Sequence, residues 1–206
     1  MAGYYRIAEL ELPMDVGGEI CSFRALAYTN DVGNDEVLAL VYGDPRMQNA
    51  PLVRPHSACL TGDALGSVRC DCGHQLRQSL SMIKNAKAGV LIYFNLHEGR
   101  GIGLMNKIRA YANQDEGQDT WDANLSLGLP VDAREYLGVG DILRDIGLST
   151  VRLITNNPAK ILAISNQGIV IVETVTIAGG MTRHNRPYMQ TKARRMNHMF
   201  GELNGD

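Results

Sequence analysis

Residues 72–96 read CGHQLRQSLSMIKNAKAGVLIYFNL, a helical pattern that runs through a glycine into a strand pattern. Leu76, Leu80 and Ile83 recur at helical spacing, Gly89 ends the periodicity, and 90–96 is a short apolar run rich in β-formers. The alternation extends in both directions. Upstream, DEVLALVYG (35–43) and PLVRPH (51–56) read as strands. Downstream, GLMNKIRAYANQDEG (103–117) reads as an amphipathic helix with Leu104, Ile108, Tyr111 and Ala112 on its inner face and Asn106, Lys107 and Arg109 turned elsewhere. A helix over about 133–147, a strand at 151–156, a helix at 158–168 and a strand at 169–175 complete the pattern. The first 45 residues carry few helix signals and suit antiparallel strands, and TKARRMNHMF (191–200) predicts a last helix whose cations face solvent. The expectation is an α/β fold: a mixed sheet with flanking helices and antiparallel strands at the N-terminus, forming one domain over residues 1–206 without linker or repeat.

The 206 residues are 45% hydrophobic and 20% charged, enough to bury a sizeable core, and the net charge is −2. That balance argues against a general nucleic-acid binder, and an anionic ligand has to be met by a local cluster of cations. No apolar run approaches the 18 or so residues of a membrane span, and MAGYYRIAEL lacks the pattern of a signal peptide. The expected location is the cytoplasm, where thiols stay reduced and clustered cysteines suit a metal better than disulfides.

Three of the four cysteines fall in CLTGDALGSVRCDC (59–72), and Cys21 stands apart as a structural residue. Cys59, Cys70 and Cys72 can close on a tetrahedral Zn²⁺. With His56 as fourth ligand the site is structural; with water there it is chemical, because zinc lowers the pKa of bound water to roughly 7. HEGRGIGLMNKIRAY (97–111) sets glycines at 99, 101 and 103 before a helix, which suits either phosphate binding with Arg100 or a plain tight turn. In TNNPAK (155–160), Asn157 suits the cap, Pro158 the first turn, and Lys160 opposes the helix dipole, which points to a nearby anion. VDAREY (131–136) pairs Asp132 with Arg134, a combination that by itself reads as a helix-start salt bridge. His74, His184 and His198 have no partner at metal spacing.

Together, VRPHSACLTGDALGSVRCDCGHQL, EGRGIGLMNKIRAYANQDEGQDT, the D-x-R of VDAREY and TNNPAK resemble the GTP cyclohydrolase II family over about residues 35–175. The resemblance implies a homodimer that uses one Zn²⁺ per chain and Mg²⁺. Its reaction would hydrolyse GTP to formate, pyrophosphate and a diaminopyrimidine bearing ribosyl phosphate, opening riboflavin biosynthesis. Neither nucleic acid nor membrane is an expected partner, and no second domain for dihydroxybutanone phosphate synthase is expected. By the same resemblance Cys59, Cys70 and Cys72 are the zinc ligands, and zinc-activated water attacks C8 of the purine. Arg54, His56 and Ser57 meet the nucleotide, as do Gln75, Glu98, Gly99, Arg100, Thr120, Thr155 and Lys160. Asp132 is the implied proton acceptor, Arg134 the group at the α-phosphate and Tyr111 a residue near the purine. A guanidinium stays protonated near neutral pH, so Arg134 suits a phosphate clamp better than a nucleophile.

Three departures bear on chemistry. The family's H-S-E-C is HSAC here, its Q-E-G-R is HEGR, and its D-E-R-D-Y is DAREY, so Ala58, His97 and Ala133 stand in for other groups. Two alternatives follow: a paralogue acting on GTP or a close analogue and stopping at a formylated ring-opened intermediate, or a nucleotide-binding protein with reduced turnover.

Overall fold

Alternate residues of the central strands are apolar on both faces, the signature of a sheet covered on two sides. In the computed structural model, which describes residues 3–32 and 35–196, seven strands form one sheet. They are β1 (Tyr4–Asp15), β2 (Ile20–Asn30), β3 (Val37–Tyr42), β4 (Leu52–Ser57), β5 (Gly89–Phe94), β6 (Thr150–Ile154) and β7 (Val170–Val175). Their order is β1-β2-β3-β5-β4-β6-β7. The pairs β1/β2, β2/β3 and β3/β5 are antiparallel, and β4/β5, β4/β6 and β6/β7 are parallel. This is the expected mixed α/β sheet with antiparallel strands at the N-terminus.

The helices among the described residues are α1 (Leu60–Asp63), α2 (Cys72–Asn85), α3 (Leu104–Asp115), α4 (Thr120–Ser126), α5 (Val139–Ile146), α6 (Pro158–Ser165) and α7 (Arg186–Met196). Val37, Ala39 and Val41 of β3 and Val90, Ile92 and Phe94 of β5 face Val139, Ile142 and Leu143 of α5 in one core. Leu40 and Leu91 point the other way, into a second core with Leu80 and Ile83 of α2. The period-two split explains why both strands read as continuous apolar runs. Ile83 is fully buried there, and truncating such a side chain to alanine costs about 2–5 kcal/mol.

Three sequence expectations need correction. The helix expected over 133–147 forms only as α5, because Gly138 adopts φ +79° and a Cβ there would lie 2.3 Å from the Tyr4 ring. Residues 129–137 remain irregular, so Asp132 and Arg134 lie on a loop rather than at a helix start. Helix α4, capped by the Asp119 side chain, was not anticipated. The last helix starts earlier than expected, and Lys192 is buried rather than solvated; residues 197–200, with His198, lie outside the described residues.

Candidate active site

Strand β4 lies between β5 and β6, so the chain leaves β4 towards one neighbour and later returns to pair on its other side. Such a reversal opens a crevice beyond the carboxyl ends of the parallel strands. Those ends deliver Ser57-Ala58-Cys59 after β4, the turn Asn95–Gly101 after β5, and Thr155-Asn156-Asn157 after β6. Two adjoining clefts result, and Ser57, Cys72, Arg100, Arg134 and Tyr188 line both.

The first cleft holds the cysteines. Cys59, Cys70 and Cys72 offer sulfurs within 4.8 Å of one another, and among the described residues they are the one group of three or more potential metal ligands. Sulfurs placed about 2.3 Å from a tetrahedral zinc lie about 3.8 Å apart, and Cys59 Sγ is 3.6 Å from Cys70 Sγ. The trio therefore fits a zinc ion. His56 does not complete it. Its Nε2 donates to Asp63 Oδ2 at 3.0 Å, and the same oxygen accepts from the Cys59 amide and the Tyr93 hydroxyl. Hydrogen bonds from Cys70 and Cys72 hold the Cys59 thiol far below its ordinary range, helped by Lys107. Ionised Cys59 in turn pushes Cys70 up to about 11 and Cys72 well above its ordinary value, so a bound cation would favour the ionised form of all three together.

Lys107 corrects the sequence reading of α3, because it faces inward and is 7% exposed while Ile108 is 48% exposed. Its three donors are all used, on Cys59 Sγ (3.0 Å), Thr61 Oγ1 (2.9 Å) and Glu98 Oε1 (2.7 Å). Burial lowers its pKa, but the bonds to Cys59 and Glu98 outweigh burial and leave it raised. Tyr111, whose ring lies under Arg69 at 4.6 Å, also lines this cleft, and burial raises its hydroxyl pKa.

The second cleft is cationic. Arg54, Arg100, Arg134, Lys160 and Lys192 line it, and neither cleft has a carboxylate among its described lining residues. Arg54 is 3% exposed; its guanidinium donates to Ile154 O and Gln75 Oε1, its Nε has no partner, and burial pushes it down to about 10. Arg100 sits in left-handed backbone at φ +64° with both Nη atoms buried and unpartnered. Strain of this kind gathers where a ligand is gripped. Lys160 donates to Pro55 O at 2.8 Å, and burial, followed by Arg54, Arg134 and Lys192, drives its pKa well below the usual lysine value. No salt bridge to a carboxylate offsets this among the described residues.

Of the expected residues, Gly99 and Thr120 line the thiol cleft, Gln75, His56 and Thr155 line the cationic one, and Ser57 lines both. Asp132 and Glu98 do not line either. Asp132 instead clamps Arg134, Oδ1 accepting from Nε at 2.8 Å and Oδ2 from Nη2 at 2.5 Å. Burial raises the Asp132 carboxyl, but Arg134 overrides it and holds it low. Glu98 holds Lys107 and accepts from the Leu60 amide at 2.6 Å, tying the turn after β5 to the thiol loop.

A family model for GTP cyclohydrolase II matches residues 5–176. The chain belongs to the GTP cyclohydrolase II family. It is 49% identical over 180 residues to a probable monofunctional riboflavin biosynthesis protein RIBA 3, chloroplastic, from Oryza sativa subsp. japonica, covering 87% of this chain and 33% of that one. It is 47% identical over 196 residues to the riboflavin biosynthesis protein RibBA of Bacillus cereus, covering 95% of this chain and 48% of the other. The chain thus spans from a third to about half the length of these relatives.

Against the family pattern, Ala58 and His97 both line the thiol cleft, whereas Ala133 packs against Gly101 outside it. His97 stacks on Phe94 with ring centroids 4.6 Å apart and meets Ser57 Oγ at 3.2 Å. Burial, then Arg134 and Lys160, lower it to about 3, so it is neutral at physiological pH. Sequence reasoning passed over Tyr188 and Lys192, which come from α7, beyond the residues the family model matches.

Proposed function

We propose that this chain is a GTP cyclohydrolase II-type hydrolase that opens the imidazole ring of GTP and releases formate and pyrophosphate. The product is 2,5-diamino-6-hydroxy-4-(5-phosphoribosylamino)pyrimidine, for riboflavin biosynthesis. The observation that carries the reading is the junction of two clefts: a trio of thiols that fits zinc beside buried cations, of which Arg134 and Lys192 are paired with Asp132 and Asp71 while Arg54 and Arg100 keep unpartnered donors. A triphosphate satisfies the unpartnered donors of Arg54 and Arg100 and offsets the burial and cation repulsion that lower the Lys160 pKa.

Cys59, Cys70 and Cys72 would hold the zinc, which when bound supplies a Lewis acid and lowers the pKa of water to roughly 7. The Cys70 and Cys72 thiols, with Lys107, favour the ionised form of Cys59. Gln75, Thr120, Thr155, His56, Ser57 and Gly99 line the clefts and would contact the nucleotide. Arg134, held in place by Asp132, grips the α-phosphate; Asp132 is the proton acceptor, and Tyr111 borders the purine. Because neither cleft has a carboxylate among its described lining residues, Mg²⁺ is assigned to the phosphates of the nucleotide rather than to a protein cage. The chain works as one domain in the cytoplasm; among the described residues no helix is long and apolar enough to cross a membrane. It pairs as a homodimer, for which β1 leaves Tyr5, Ile7 and Leu10 exposed at the edge of the sheet.

Incubation of purified protein with GTP and Mg²⁺, followed by mass spectrometry, tests the reading. Formate, pyrophosphate and the diaminopyrimidine are expected. A formylated ring-opened product would place this chain among the paralogues instead, and unchanged GTP would reject hydrolysis.

A further inference from the structure

The clefts meet under a helix that the family model does not reach. After β7 the chain is clasped to the site loop by Asn156, which donates to Ile177 O at 2.8 Å and accepts from Ile177 N at 2.7 Å. It then crosses the start of α2, where His74 Nε2 lies 3.1 Å from Ala178 O, and Asn185 fixes the entry to α7 through Gly180 O and the Thr182 amide. Two cations of α7 pin it through three ion pairs. Lys192 Nζ meets Asp71 Oδ1 at 2.6 Å, buried between Cys70 and Cys72. Arg195 reaches Asp119 and Asp122 at the start of α4, beside Thr120. One turn before Lys192, Tyr188 sets its ring where the thiol and cationic clefts join, 4.6 Å from Lys192 Nζ and 5.6 Å from Arg100 Cζ.

We propose that Tyr188 is a binding residue for the nucleoside part of the substrate, and that Lys192, through Asp71, is the positioning residue that holds it over the site. The inference rests on the proposed function, which puts phosphates among the cations and the purine at the thiols. The join between them is then where the sugar and base pass. An aromatic face with a polar tip suits that station, because it offers stacking area together with a hydroxyl. A residue that merely plugged the fold would treat every ligand alike.

Binding of GTP and of inorganic tripolyphosphate to the zinc-loaded protein, followed by calorimetry, separates these roles. Loss of one stacked ring weakens a nucleotide by about 10-fold or more, so Tyr188→Ala should weaken GTP to that extent. Tripolyphosphate affinity and zinc content should stay as in the parent protein, and Tyr188→Phe should recover most of the GTP affinity. Lys192→Met should weaken GTP in the same direction and expose α7 to trypsin. Equal loss of both ligands in Tyr188→Ala, or loss of zinc, would assign Tyr188 a structural role and overturn the inference. Unchanged GTP affinity would overturn it as well. If the parent protein bound tripolyphosphate but not GTP, the functional reading itself would fail.

Discussion

Gly62 gives the sharpest handle on the thiol trio. It sits in α1 with ordinary helical backbone, and a Cβ built there would lie 2.9 Å from Cys70 Sγ and 3.2 Å from both Cys59 Sγ and Cys72 Cβ. Non-bonded atoms rest about 3.5–4 Å apart, so relieving a 2.9 Å approach in Gly62→Ala forces the nearest sulfur out by about 0.6–1.1 Å. Metal–ligand distances tolerate deviations of only about 0.2 Å. Zinc affinity should therefore fall by about 10–100-fold, the range seen when the support of a ligand shell is disturbed. The assay is competition with a chromophoric chelator, with circular dichroism and urea denaturation confirming that the metal-free chain stays folded. A Gly62→Ala protein that is fully folded and binds zinc as tightly as the parent would refute the reasoning, because the sulfurs would not then be gathered around the ion.

The other predictions concern protons. Lys160 has its pKa lowered by burial and by Arg54, Arg134 and Lys192, so binding an anion should raise that pKa. Tripolyphosphate binding should take up protons below the ordinary lysine pKa and weaken as pH rises. Calorimetry in buffers of different ionisation heat checks this, and proton release would contradict it. His97 drops from its ordinary value to about 3 in the folded chain, so between pH 6.5 and about 3 the unfolded state binds more protons and stability falls as pH falls. His97→Gln should flatten that slope in urea midpoints measured across this range; an unaltered slope would show that His97 is not the group responsible.

The sheet was legible because β3 and β5 are apolar on both faces, a pattern that requires cover from both sides. The thiol trio was legible because three cysteines within fourteen residues suit a zinc site. What sequence patterning missed shares one cause. Helix α3 was oriented by its apolar residues, yet Lys107 is the side chain turned in, because a thiolate and Glu98 reward a buried cation more than Ile108 rewards burial. Lys192 looked solvated for the same reason, since its partner Asp71 lies 121 positions away in sequence. The irregular path through Asp132 and Arg134 depends on Gly138 passing the Tyr4 ring, a contact between distant segments that local propensity cannot carry.

The central claim is that the thiols and the cation-lined cleft form one hydrolytic site. Its most direct test is a zinc titration into chelator-stripped protein with GTP and Mg²⁺ present, following formate by mass spectrometry. Formate release should rise with zinc and level off at one ion per chain, and should be abolished in Cys70→Ser. Formate production by the stripped protein, or by Cys70→Ser at the rate of the parent, would contradict the account.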